Sequence, residues 1–105
     1  MSEFHAVAKV SDVPDPGKML VEIDDQLVVL VHCDGAFYAI DDVCTHDGGP
    51  LGEGELVGCT LACPRHGAKF DVKTGAALTM PATKPTGTHE VKVEGDTILI
   101  KLRES

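Results

Sequence analysis

Cys44-Thr45-His46-Asp47-Gly48-Gly49, answered downstream by Cys63-Pro64-Arg65-His66-Gly67, is the part of this chain around which the rest is organised. Each segment is a short Cys/His pair with glycine after it, so both can turn tightly and bring their ligands to one point. Four soft or borderline ligands that converge in this way are a metal site. An isolated histidine is ordinarily a surface or core residue; His46, two residues from a cysteine and with a similar pair downstream, reads as a ligand. Asp47 either orients that imidazole or faces water.

Ligand chemistry narrows the metal. Thiolate and imidazole suit zinc, copper or an iron-sulfur cluster. A zinc finger more often takes both cysteines from one loop and both histidines from a helix, in the order Cys, Cys, His, His. Here the order is Cys, His, Cys, His, and no helical period follows. In a mixed-ligand cluster of two irons, two histidines replace two cysteines on one iron. Cys44/His46 and Cys63/His66 suit that rule, each loop giving its Cys to one iron and its His to the other.

With these residues in place the chain resembles the Rieske proteins, and among them the small soluble Rieske-type ferredoxins. The matching positions are Cys44, His46, Cys63 and His66, then Pro64, Gly67, Phe70, Asp71 and Thr74-Gly75. The resemblance implies one [2Fe-2S] cluster, with Cys44 and Cys63 on the inner iron and His46 and His66 on the outer one. It also implies a third loop over the cluster, for which Met80-Pro81-Ala82-Thr83-Lys84-Pro85 is the candidate and Pro81 the covering residue. Proline offers bulk without an N–H, so it shields sulfur without adding a hydrogen bond. Met80 is not read as a ligand.

Departures from the high-potential branch of the family are equally informative. Rieske subunits of respiratory complexes carry an extra, disulfide-forming Cys in each cluster loop, where this chain has Gly49 and Arg65. They also present Ser and Tyr hydroxyls to the cluster sulfurs, where this chain has Ala68 and Phe70. A hydrogen bond to sulfur stabilises the reduced, more negative cluster, so losing both donors lowers the potential. The resemblance therefore implies the low end of the Rieske range, roughly −150 mV.

A chain of 105 residues is expected to form one domain, 1–105, with its cluster-binding part at about 41–85. Net charge of −8 argues against nucleic acid and anionic membrane as partners and favours a protein with a basic docking face. No apolar segment follows Met1, and the run Leu27 to Val31 is far too short to span a bilayer, so a cytoplasmic protein is expected. In that setting a two-disulfide reading of the 4 cysteines is set aside. Cys33 and Cys59, each beside apolar neighbours, are expected as buried free thiols.

The remaining sequence is strand and turn. Phe4, Ala6, Ala8 and Val10 alternate with His5 and Lys9, the period of a half-buried strand that leaves His5 on the surface. Ser11 to Gly17 is turn chemistry, Met19 to Ile23 alternates again, and Asp24-Asp25-Gln26 turns into Leu27 to Cys33, apolar enough to be buried on both faces. Asp34-Gly35 is a hairpin signal and Phe37 to Ile40 returns. Asp41-Asp42 reads as a solvated acidic strand end, available to a docking rim, rather than a hard-cation site. Leu56-Val57 and Thr60-Leu61 flank Gly58-Cys59 as strand, turn and strand, and Phe70 and Val72 alternate with charged residues. A last hairpin joins His89–Val93 to Thr97–Leu102 through Glu94-Gly95-Asp96, with His89 expected at the surface. His32, in the buried strand, is expected to be a satisfied core histidine.

The expected architecture is thus all-β, a small antiparallel β-sandwich or barrel with a cluster-binding subdomain of two loops at one end. Nothing resembles a substrate pocket: there is no nucleophile with a partnered base, no phosphate loop and no separate iron triad. The resemblance implies a one-electron carrier, not catalytic alone and monomeric. It would pass electrons from a flavin-containing reductase to the terminal oxygenase of an aromatic-ring dioxygenase system, docking near His46 and His66. Two other readings are carried alongside it: the small Rieske-like subunit of an assimilatory nitrite reductase, and a structural zinc module, which would be colourless.

Overall fold

The structure, a computed structural model, describes residues 3–42, 52–63, 67–78 and 86–103. Among these residues the elements are β1 (Phe4–Lys9), a short 3-10 turn (Val10–Asp12), β2 (Gly17–Ile23), β3 (Gln26–Cys33), β4 (Ala36–Asp41), β5 (Leu56–Val57), β6 (Thr60–Ala62), β7 (Lys69–Asp71), β8 (Thr88–Glu94) and β9 (Thr97–Lys101). They form a six-stranded antiparallel sheet in the order β1-β9-β8-β4-β3-β2 and a three-stranded sheet β5-β6-β7. The larger sheet curls until its outer strands β1 and β2 approach, closing a near-barrel. His5 and Asp24 face each other across that seam at 3.6 Å.

The hairpins follow from local turn chemistry. Asp24 and Asp25 sit at φ 49° and 65°, and Asp34 and Gly35 at 54° and 76°, two-residue turns whose twist matches the flanking strands. Register is then set by burial. β3 pairs Val28 to Asp41, Val29 to Ile40 and Leu30 to Ala39, placing apolar residues on both faces of the same two strands.

Both faces are covered, as expected for β3. Val28 and Leu30 join Val13, Val21, Ile23, Ala39, Ile98 and Ile100 inside the barrel. Val29, Val31 and Cys33, on the opposite face, join Ile40 in a second core whose other half is Leu61, Cys63, Ala68, Phe70 and Val72 from around the small sheet. The alternation of a strand thus builds two cores from one run of sequence. The exception is Leu27, which is exposed.

Two expectations about the strands fail for tertiary reasons. A β-bulge shifts the β1–β9 register between Ala6 and Ala8 and reverses the parity of the strand. Val7 therefore packs on the barrel core with Ala8 and Val10, the two that keep the expected side, while Ala6 is exposed and Phe4 lies outside with the Lys92 Nζ 4.2 Å from its ring centre. Val13, placed in a turn by the sequence, is buried in the barrel core. Its carbonyl accepts a hydrogen bond from His32 Nδ1 at 2.8 Å. His32 stacks on Phe37 at 3.9 Å and its Nε2 stands 3.6 Å from Asp15, a satisfied histidine as expected.

Candidate metal centre

The β6–β7 hairpin delivers Cys63. β6 pairs Thr60 to Asp71, Leu61 to Phe70 and Ala62 to Lys69, and the chain leaves β6 directly into Cys63. Cys63 is 2% exposed and is the free cysteine among the described residues. Its N–H donates to the Ala68 carbonyl at 2.6 Å, and its own carbonyl accepts the Gly67 N–H at 3.0 Å. Gly67 closes this turn at φ 73°, a left-handed conformation in which glycine carries no Cβ penalty. Ala68 and Phe70 are completely buried beside Cys63. The structure therefore brings Cys63, Ala68 and Phe70 into one core, with Gly67 at the turn. Cys44, His46, His66 and Pro81 lie outside the described residues.

The ends of the segments that carry those residues are tied together. Before the first, Asp42 is buried and its Oδ1 accepts the Gly52 N–H, so residues 42 and 52 close a neck. Lys18 Nζ donates to the Gly52 carbonyl. A Cβ at Gly52 would run into the Asp42 carboxylate and Val29, which explains the glycine. Beyond the third segment, Thr86 N–H donates to the Gly75 carbonyl at 2.8 Å and Asp41 N–H to the Gly87 carbonyl at 2.9 Å. Gly75 in turn donates to Asp71 on β7. Adjacent residues Asp41 and Asp42 thus hold the necks of the first and third segments, and Gly75 links the third to the hairpin of the second.

Asp41-Asp42 is therefore not the solvated acidic end expected from sequence. Asp41 Oδ1 accepts hydrogen bonds from His89 Nε2 at 2.7 Å and Gln26 Nε2 at 2.8 Å. His89 was expected at the surface, yet its side chain is 3% exposed. Its Nδ1 accepts the Arg103 N–H at 3.0 Å, which leaves the proton on Nε2 for Asp41. Burial of a polar ring is tolerated because both nitrogens are satisfied.

Cys33 and Cys59 correct another expectation. They are not free thiols but a disulfide, with Cα atoms 5.6 Å apart and a separation of 26 positions in sequence. Cys33 lies on the outward register of β3, with Val29 and Val31, and Cys59 lies in the turn between β5 and β6. Parity of the cysteine count was the sole sequence signal, and it does not pair them.

The donor set fits an iron-sulfur cluster. Of 4 cysteines, the disulfide engages Cys33 and Cys59, neither of them in a Cys/His pair, and Cys63 is a thiol; ligation of one iron by two histidines requires two cysteines on the other. Among the described residues no group of three or more His, Cys, Asp or Glu side chains gathers to hold a metal elsewhere. No helix among them is long and apolar enough to cross a membrane.

A family model described as the Rieske [2Fe-2S] domain matches residues 3–100. The 3-phenylpropionate/cinnamic acid dioxygenase ferredoxin subunit of Shigella flexneri serotype 5b (strain 8401) is 43% identical over 97 residues, covering 91% of each chain. The solved ferredoxin of carbazole 1,9a-dioxygenase from Nocardioides aromaticivorans IC177 superposes with TM-score 0.88 at 28% identity, covering 92% of this chain and 95% of that one. A chain in the complex of reduced oxygenase and oxidized ferredoxin of carbazole 1,9a-dioxygenase superposes with TM-score 0.87 at 32% identity, over 92% of this chain and 91% of its own.

Proposed function

This chain belongs to the Rieske [2Fe-2S] family, and from that premise we propose that it carries single electrons from a flavin-containing reductase to the terminal oxygenase of an aromatic-ring dioxygenase system. It is an electron-transfer component and not catalytic alone. Cys44 and Cys63 would hold one iron of a [2Fe-2S] cluster and His46 and His66 the other. When bound, that cluster takes up and gives back one electron. The observation that carries this reading is Cys63, a buried free thiol at the end of a pinned hairpin, in a chain whose disulfide takes up Cys33 and Cys59 and neither cysteine of the Cys/His pairs.

The protein's own residues set the conditions. The β6–β7 hairpin presents Cys63 from a rigid base, which limits reorganisation. Ala68 and Phe70 exclude water from its inner side and have no hydroxyl to donate to sulfur, which favours the low end of the family's potentials. Gly67 allows the turn, and Pro81 is the residue that would cover the outer side. His46 and His66 each keep one ring N–H, available to a docking partner. Residues 1–105 act as a single domain, with the cluster part at about 41–85. The acidic protein works as a cytoplasmic monomer and meets partners through basic faces, with no nucleic acid or membrane involved.

Visible absorption and EPR of the purified protein, oxidised and dithionite-reduced, with iron and zinc counted, test the reading. Two irons per chain and an average g below the free-electron value after reduction are expected. One zinc and no colour would replace the cluster by a structural metal. Cys63→Ser and His66→Ala should each abolish the spectrum; a variant that keeps full absorbance removes that residue from the ligand set.

A further inference from the structure

We infer that Cys33 and Cys59 form a reversible thiol/disulfide site that clamps the cluster-bearing hairpin to the near-barrel, so that small disulfides and thiols modulate how firmly the cluster is held. The part concerning the cluster rests on the function proposed above.

The argument starts from what holds the small sheet. β5, β6 and β7 are two or three residues long, and their apolar face is covered by β3 and β4. The disulfide is the covalent tie between these layers: Cys33 ends β3, and Cys59 sits immediately before β6. β6 spans only Thr60–Ala62, so the clamp stands at one end of this strand and Cys63 at the other. The Cys59 carbonyl also accepts the Val72 N–H at 2.9 Å, which couples the clamp to the return of β7. Opening it removes the covalent tie between the hairpin and β3 and leaves the attachment to non-covalent contacts, side-chain packing and the exposed Lys73–Asp34 pair at 3.0 Å among them.

Access to the bond is unequal. Cys33 is 1% exposed, whereas Cys59 is half-buried beside the exposed Gly58. A small thiolate therefore attacks the Cys59 sulfur; the Cys33–Cys59 bond breaks, a mixed disulfide forms at Cys59, and Cys33 leaves as thiolate and takes a proton. A second small thiol then attacks the mixed disulfide and releases Cys59. In sum two small thiols become one small disulfide, and the protein gains two electrons and two protons. Glutathione disulfide drives the reverse. A thiol-rich compartment keeps such a bond open and an oxidising episode closes it, so the state of the pair follows the surrounding thiol poise.

The test uses the purified wild-type protein equilibrated with glutathione disulfide or with glutathione. After denaturation, alkylation and digestion, the first sample should contain a crosslinked Cys33–Cys59 peptide and the second both alkylated cysteines. Amide exchange over residues 60–72, read by mass spectrometry, should be about ten-fold faster in the glutathione sample, and the visible band should decay several-fold faster under an iron chelator. The Cys33→Ala/Cys59→Ala variant should match the glutathione sample in either buffer. No crosslink, or equal exchange in the two buffers, overturns the clamp. Different exchange with equal cluster loss overturns its effect on the cluster. A colourless protein removes the function proposed above, while the exchange comparison still decides whether the clamp exists.

Discussion

The two sheets of this protein achieve stability by different means. The six-stranded sheet has strands of five to eight residues and closes on its own apolar interior, with Val28, Leu30, Ile98 and Ile100 completely buried. The three-stranded sheet has no interior of its own. It borrows Val29, Val31, Cys33 and Ile40 from the outside of the near-barrel and contributes Leu61, Phe70 and Val72 in return. A sheet this short does not stand alone, so the part of the molecule that holds Cys63 depends on attachment: apolar packing, a disulfide and the necks at Asp41 and Asp42. A large self-sufficient scaffold and a small dependent site can thus be perturbed separately.

Truncating one core at a time should break the comparison most clearly. Phe70→Ala removes the largest fully buried side chain of the shared core, at a cost of about 3–5 kcal/mol. We expect bound iron to be lost while circular dichroism retains the strand signal of the six-stranded sheet. Ile98→Ala, within the near-barrel, costs about 2–5 kcal/mol and should lower the melting of strand and iron signals together. If Phe70→Ala melted both in one step, the small sheet would be no satellite.

Removing the His89 ring tests a point where the two regions meet. His89→Ala takes one donor from Asp41 and leaves the Arg103 N–H without its acceptor, at a cost of about 1–3 kcal/mol. Thermal melting should fall accordingly, and exchange of the Asp41 amide, which bonds Gly87, should accelerate. An unchanged Asp41 amide would uncouple the histidine from the neck.

The smallest effect belongs to Lys73 and Asp34. Hydrogen bonding and then charge attraction to Asp34 raise the Lys73 pKa above its ordinary value of 10.5. A raised lysine contributes its stabilisation fully below that ordinary value and loses it as pH rises through the folded-state value. The pair is exposed and salt-screened, so Lys73→Met should change melting near neutral pH barely at all. A difference between wild type and variant that shrinks in the alkaline range fits this sign; one that grows there contradicts it.

The sequence by itself determined what depends on neighbouring residues. Asp24-Asp25 and Asp34-Gly35 specify tight hairpins through backbone conformations that such residues tolerate, and the apolar run of β3 specifies a strand covered on both sides. The two Cys/His pairs, with Pro64, Gly67, Phe70-Asp71 and Thr74-Gly75, carry a resemblance to the Rieske family, to which the matched domain assigns the chain. Tertiary structure decided whatever depends on residues distant in the chain. The Asp41 carboxylate is set by Gln26 and His89, and His89 by Arg103, so the acidic pair becomes an anchor and the histidine becomes buried. A single bulge shifts the faces of β1 ahead of Ala8 and sends Phe4 outward, while Ala8 and Val10 keep the core side. Cys33 and Cys59 meet only because one sheet docks on the other, which brings together sulfurs separated by 26 positions in sequence. Local pattern constrains backbone and ligand type, whereas pairing and burial depend on which surfaces meet once the chain has folded.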